Sequence, residues 1–395
     1  MQDDTLAYWI WIVMVMGFAN KDTFSLIQKY PDVRELYSLM LRPDCRFLSE
    51  RQKKHALQNP LAKAEAILET CRKKEIQLLT CQDACYPDCL RHIYSQPALL
   101  FYKGNPAILK HDRLLTVVGT RHPSEYSIRT AKQLCHELVC NGLTLVSGGA
   151  LGLDTVAHQS AVEEHRPTVS VLGCGIDYNY PKGIQPLKEK IIQNGLLLSE
   201  YFPGTPPYGR NFPVRNRILS GISPAVLVTE ASRESGCMIT ANLACDQGKD
   251  VFCIPPADIY DKRYSGQIFL LHDGAALVCC AEDILNAGSL AVSAPEILPE
   301  IPASPEVPKT PEIPEISEIP ESEQEADSLS ETERHLLQVL EDSEKNINML
   351  CCMTGLKFET ISMHLLELEL LGWVVATGRD FYTVSDKYRK HSSAL

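Results

Sequence analysis

The 395-residue sequence contains no apolar run long enough to cross a bilayer. Its longest, AYWIWIVMVMGFA at 7–19, has 13 residues where about 20 are needed, so it is expected to be a buried helix. Asp3 and Asp4 stand where a secretory signal carries basic residues, so no signal peptide is expected and the protein is assigned to the cytoplasm. Positive charge is not in excess either: 38 basic residues against 50 acidic ones give −12. Taken whole, that figure argues against a nucleic-acid partner, because phosphate binding needs local positive charge. Divided along the chain it reads differently. Residues 286–330 carry a net −9 and residues 331–395 a net −3, which leaves 1–285 with 30 acids and 30 bases. A neutral body can still present a basic patch.

Three chemical signatures are missing as well. No G-x-G-x-x-G stands between the first strand and its helix, so a dinucleotide cofactor is not expected. No G-x-S-x-G supplies a nucleophile elbow. The 15 cysteines are odd in number and scattered, which fits reduced thiols in a cytosol. Cys81-x3-Cys85-x3-Cys89 has three thiols close in sequence, but no fourth ligand of obvious spacing follows. Small residues in a loop are the better reading, and no metal is expected. Cys279-Cys280 and Cys351-Cys352 sit in apolar runs and read as core.

What is present divides into four segments. Residues 1–72 have helical spacing of apolar residues, broken near Gly17, Pro31 and Pro43, and predict a small helical domain. Residues 73–288 alternate short β-rich runs (114–118, 143–146, 168–172, 196–198, 225–229 and 251–254) with amphipathic helical stretches. That alternation predicts an α/β fold with a doubly wound, mostly parallel sheet. In the first of these helices Ile128, Ala131, Leu134, Cys135, Leu138 and Val139 share one face, and Asn141-Gly142 ends it. Residues 289–328 repeat Pro, Glu and an aliphatic residue and read as an extended linker. Its 26 residues at 295–320 could reach roughly 80 Å. Residues 329–395 predict three helices, at 332–340, 347–353 and 359–371, then a hairpin at 373–384: a winged helix.

Open parallel sheets bind ligands at the carboxyl ends of their strands. The predicted strands are followed by Gly119-Thr120-Arg121, by Ser147-Gly148-Gly149, by Gly173-Cys174-Gly175 with Tyr180-Pro181-Lys182 beyond, and by Thr229-Glu230 with Ser235-Gly236 opening a helix. Any one glycine turn is explained by tight packing, but the set predicts a phosphate site. FPGTPPYGRNFPVRNR at 202–217 interleaves Arg210, Arg215 and Arg217 with Tyr208 and Phe212 on what reads as a proline-broken loop. Cations that follow phosphates and rings that stack on bases suit single-stranded nucleic acid. At least one of these arginines is expected to be structural. Asp154 and His158 are four apart on a predicted helix, but a structural histidine is the better reading. Nothing demands an enzyme.

The motifs VVGTRHPSEYSIRTAKQLCHELVCNGLTLVSGGALGLDTVAH, VLGCGIDYNYP, LLSEYFPGTPP, NFPVRNRILSGIS, TEASRESGCMITA and DGAALV together resemble the DNA-processing protein A (DprA/Smf) family. The likeness spans about 210 residues, and YPDCL at 86–90 and ALLFYKGN at 98–105 resemble its lead-in. The resemblance implies an extended Rossmann-like domain flanked by a SAM-like or helix-hairpin-helix-like domain and a winged helix. It implies single-stranded DNA binding as a homodimer, protection of that DNA from nucleases, and its delivery to the RecA recombinase during natural transformation. By motif it assigns DNA contact to Arg121, Lys182, Arg210, Asn211, Phe212, Arg215, Asn216 and Arg217. Close backbone approach to phosphates falls to Gly119, Ser147, Gly148 and Gly149.

The sequence departs from that pattern. Leu151 replaces an arginine of the family's ARGID, Ser127 a glycine, Pro256 a glycine, and Ile268 an asparagine. The first change weakens the basic pocket. The winged helix holds Glu359, Glu367 and Glu369 but only Lys357 on its presumed recognition helix, which suits a protein contact or regulatory role better than phosphate. The second functional reading is a nucleotide-processing enzyme of the phosphoribohydrolase type. Its PGGxGTxxE pattern is missing here, with Glu230 as the sole remnant.

Overall fold

Five helices open the chain: α1 (Leu6–Met16), α2 (Lys21–Lys29), α3 (Val33–Met40), α4 (Glu50–Gln58) and α5 (Leu61–Lys73). The breaks fall at Gly17, before Pro31 and before Pro43, as the sequence leads one to expect. Side chains cap three of the starts: Asn20, Asp32, and Ser49 with Gln52 in a capping box. α1 is apolar all round and accordingly buried, with Trp9, Ile10, Trp11 and Ile12 within 1% of full burial. Trp11 Nε1 donates to the Asn59 carbonyl at 2.6 Å, so the one polar atom of that ring is satisfied. No described helix is long and apolar enough to cross a membrane.

The computed structural model describes residues 5–290, 330–341, 345–346, 350, 353–354, 356, 358–378, 381–385 and 388. The chain divides into two units, 1–298 and 299–395. Within the first, the helical segment and the sheet share one core: buried residues run without a break from Ala7 through Leu100 to Ile222.

After α5 the order is β1 (Gln77–Thr80), β2 (Leu99–Gly104), β3 (Leu114–Val118), α6 (Glu125–Cys140), β4 (Thr144–Ser147), α7 (Leu153–Glu163), β5 (Thr168–Leu172), α8 (Gln185–Asn194), β6 (Leu196–Ser199), α9 (Asn211–Ile222), β7 (Ala225–Val228), α10 (Gly236–Asp246), β8 (Asp250–Cys253), α11 (Ser265–His272), β9 (Ala276–Leu277) and α12 (Glu282–Leu285). The nine strands form one sheet in the order β1-β2-β6-β5-β4-β3-β7-β8-β9. β2 runs antiparallel to both neighbours, and β3 to β9 are parallel. The chain steps outward from β3 through β4, β5 and β6, then returns over the sheet through α9 to place β7 on the other side of β3. The strand order therefore reverses between β3 and β7.

Helices cover both faces, which is why the central strands are apolar throughout rather than alternating. Leu115 and Val117 pack with α6 on one face. Thr116, pointing the other way, donates its hydroxyl to the Leu219 carbonyl of α9 at 2.7 Å. Six of the strands match their sequence expectation to within a residue or two. The sequence pattern does not reveal β1, β2 and β9.

Three sequence readings need correction here. Ile128 is 41% exposed, not part of the buried face of α6. Cys279 and Cys280 are exposed rather than core: their amides donate to the Asp283 carboxylate at 2.7 and 3.1 Å, in the turn that starts α12. Residues 211–222, read in part as loop, are helix α9, because Pro213 falls in its first turn, where no amide donor is needed.

The second unit contains α13 (Glu331–Glu341), β10 (Lys345–Asn346), α14 (Phe358–Leu370), β11 (Val374–Gly378) and β12 (Phe381–Val384), with the sheet ordered β10-β12-β11. Leu336, Leu340, Ile361, Leu365 and Trp373 form its core. The expected linker lies almost wholly outside the described residues, as do Cys351, Cys352 and most of the expected helix at 347–353.

Candidate nucleic-acid interface

A cleft of about 590 Å³ opens where the strand order reverses, the place at which open α/β sheets take their ligands. Its walls come from the turn after β3 (Gly119, Thr120, Arg121, His122), the first turns of α9 (Phe212, Pro213, Arg215, Asn216) and the start of α10 (Ser235, Gly236). Neither α9 nor α10 has a side-chain cap at its N-terminus. The positive ends of two helix dipoles therefore border the cleft, although the Asn211 and Phe212 amides at the start of α9 already donate to the Tyr208 and Gly209 carbonyls.

Phe212 organises the basic groups. The guanidinium carbon of exposed Arg121 lies 5.4 Å from its ring centroid and that of buried Arg215 lies 5.8 Å away. Tyr180 meets the same ring at 5.6 Å. A methyl group at Gly173 would stand 2.7 Å from the ring, so the glycine after β5 is what lets Phe212 lie on the backbone there. Farther out, exposed Arg210 sits 5.4 Å from the half-exposed ring of Tyr208.

Arg215 is held from below. It donates to the Gly148 carbonyl at 2.8 Å and to the Val171 carbonyl, and Nε reaches Asn216 Oδ1 at 3.3 Å. Asp154 is its countercharge. Burial raises the Asp154 pKa, and Arg215 together with the amides of Ala150 and Gly148 opposes that rise. The Ala150 amide donates to Asp154 Oδ2 at 3.2 Å.

That carboxylate changes the meaning of the glycine turn. The Ser147-Gly148-Gly149 amides were expected to receive phosphate, yet the turn already holds an anion of the protein's own, and all three residues are buried. Ser147 spends its hydroxyl on the Val117 carbonyl at 2.7 Å. A Cβ on Gly148 would approach Arg215 and Asp154 to 2.8 Å each. Gly119 lines the cleft, but a Cβ there would meet Thr229 and Leu153, so its first role is tight packing. Asp154 is the site residue that sequence reasoning misplaced. Its partners are the amides of the glycine turn before it and Arg215 of α9, not His158 four residues on.

Of the remaining expected residues, Asn211 is buried and Lys182 exposed, and neither lines the cleft. Arg217 is turned away altogether. It donates to Glu200 Oε1 at 2.7 Å and to the Ser95 carbonyl at 3.0 Å, with both ionic side chains at least nine-tenths buried. It is the structural arginine the pattern called for. Leu151, where the family motif has arginine, is 47% exposed.

Other candidates are spoken for. His158 gives Nδ1–H to Thr168 Oγ1 at 2.8 Å, since that hydroxyl itself donates to the Leu145 carbonyl. Its Nε2 is buried without a partner, and burial lowers its pKa to about 3. Glu230 accepts the amide and hydroxyl of Ser124 at 2.9 and 2.7 Å, serving the start of α6 rather than the cleft. Cys81, Cys85 and Cys89 are unpaired thiols, and they form no metal-ligand group among the described residues.

Residues 77–289 match the DNA recombination-mediator protein A family, and residues 320–378 match the DprA winged helix domain. The DNA processing protein DprA of Streptococcus pneumoniae R6 is 42% identical over 203 residues, 51% of this chain and 71% of its own length. Protein Smf of Escherichia coli K12 is 32% identical over 330 residues, 83% of each chain. The X-ray structure of DNA processing protein A from Streptococcus pneumoniae is similar with a TM-score of 0.63 at 33% identity, covering 71% of this chain and 97% of that one. The chain belongs to the DNA recombination-mediator protein A (DprA/Smf) family.

Proposed function

We propose that the protein binds single-stranded DNA in this cleft and acts, without catalysis, as a recombination mediator. The observation that carries the reading is the pairing of exposed cations with rings at the switch point: Arg121 on Phe212, and Arg210 on Tyr208 along the approach. Arg121 and Arg210 take phosphates, Phe212 and Tyr208 offer stacking surfaces, and the positive dipole ends of α9 and α10 favour an anion beside them. Asn216 belongs to the cleft wall, whereas Lys182 and Asn211 lie outside it. Gly119, Ser147, Gly148, Gly149 and Arg215 shape and charge the floor. Family membership supports the wider role: a cytoplasmic homodimer that shields incoming single strands and loads RecA on them during natural transformation.

The test is oligonucleotide affinity at two salt concentrations. Arg121→Ala and Arg210→Ala are each expected to weaken single-strand binding about tenfold and to lower the salt slope by about 0.7 per lost phosphate. Unchanged affinity in both variants would misplace the groove, and equal affinity for single strand and duplex would count against the reading. RecA filament formation on coated strands then tests delivery. Release of free base from a nucleoside monophosphate, lost in Glu230→Gln, would instead establish the hydrolase.

A further inference from the structure

We propose that His136, Cys140 and Glu164 form a binding site for a divalent transition-metal ion of the zinc type, on the side of the sheet opposite the cleft. His136 and Cys140 are one turn apart at the end of α6, so they share a helix face. Glu164 is the residue directly after α7, which packs beside α6. One donor atom from each of the three lies within 4.8 Å of the others. In detail, His136 Nδ1 stands 3.3 Å from Glu164 Oε1, Cys140 Sγ 3.8 Å from His136 Nε2, and Cys140 Sγ 3.9 Å from Glu164 Oε2.

With one donor atom from each residue within 4.8 Å of the others, the spacing is slightly wider than a tetrahedral ion needs. Metal–ligand bonds of about 2.0–2.3 Å at tetrahedral angles put neighbouring donors about 3.3–3.6 Å apart. The ion takes one imidazole nitrogen, and small rotations of three solvent-exposed side chains bring in the thiol and a carboxylate oxygen. Water fills the fourth position. A thiolate, an imidazole and one carboxylate select zinc-like ions over magnesium or calcium, which want oxygen alone. As the metal–sulfur bond forms, the thiol proton leaves to solvent.

The electrostatic setting favours a cation. The negative dipole ends of α6 and α7 converge here, and neither last turn carries a basic residue. The Arg113 guanidinium donates to the Asn141 carbonyl at 2.8 Å, one residue beyond Cys140. A metal would therefore staple the two helix ends one turn beyond the Lys132–Glu163 ion pair, which joins the same helices at 3.2 Å. Both helices begin beside the cleft and end away from it, so this site and the DNA cleft can fail independently.

Co²⁺ titration of the full-length protein tests the site, because a cobalt–thiolate bond adds a charge-transfer absorption that excess Zn²⁺ removes. Wild type is expected to bind one equivalent more than either Cys140→Ser or His136→Gln, and Glu164→Gln to bind it about tenfold more weakly. The His136→Gln variant decides the matter, since it keeps all 15 thiols. If it retains the full absorption and stoichiometry, the proposal is overturned, whatever Cys140→Ser does. Because all three side chains are exposed, the metal-free variants should melt with wild type, and Zn²⁺ should raise the melting temperature of wild type alone. Equal Zn²⁺ stabilisation of wild type and His136→Gln would also overturn it.

Discussion

Arg215 and Arg217 stand two positions apart on α9 and carry different loads. Arg215 lies under Phe212 and borders the cleft. Arg217 joins α9 to the Ser95 carbonyl of the lead-in segment and to Glu200 after β6. Glu200 Oε1 also accepts the Ala19 amide at 3.4 Å, between α1 and α2, while Oε2 has no partner. Its charge is thus balanced by one cation. Arg217→Met should cost about 3–5 kcal/mol, because it leaves a buried carboxylate uncompensated. Adding Glu200→Leu should recover most of that loss. Urea midpoints measure both, and single-strand affinity of the folded Arg217→Met protein should equal that of wild type. The contrast with Arg121→Ala, expected to bind poorly at normal stability, separates an arginine that holds the fold from one that meets the ligand.

Helix α7 shows the same division one level up. Its first turn presents Asp154 to the glycine turn, and its next presents His158 to β5 through Thr168. The histidine is neutral in the fold, and its unpartnered Nε2 has nowhere to place a proton. Below pH 6.5 the unfolded chain takes up a proton there that the folded chain refuses until about pH 3. Stability is therefore lost as pH falls through that window, by about 1.4 kcal/mol per pH unit from this one group. His158→Met should lower stability at pH 7.5 but flatten the loss between pH 7 and pH 5, as read from denaturant midpoints at each pH. The parallel strands from β3 to β8 are legible in the sequence because each is a short apolar run, and β3, β4 and β5 are closed by the glycine turns at Gly119, Gly148 and Gly173. β1 is not, since Gln77 to Thr80 is half polar and gains its place only by pairing with β2. α9 was obscured by Pro213 and its arginines, whose burial depends on partners more than 15 residues away in sequence. The switch-point cleft could be anticipated from strand ends, whereas the occupation of its glycine turn by Asp154 is a fact of packing.

On the scale of the whole chain, charge is partitioned: a neutral body at 1–285, a stretch at 286–330 with 10 acids and one base, and a net −3 beyond. On the proposed reading, DNA affinity comes from a few placed arginines and two helix dipoles, and the single-strand salt slope should be that of only a few phosphates. The acidic stretch adds a repulsive field that acts over about 10 Å at 0.1 M salt and less at higher salt. On the same reading, duplex DNA, with its greater charge density, is penalised more than a single strand that can stack on Phe212 and Tyr208. Residues 1–298 make one compact unit, so a fragment ending at residue 290 should fold. It should bind single strands within about twofold of the full chain, yet hold duplex several-fold more tightly at low salt, with that difference vanishing as salt rises. Duplex and single-strand affinities measured on both proteins across a salt series decide this. A fragment whose duplex affinity matches the full chain at low salt would assign the preference for single strands to the cleft alone.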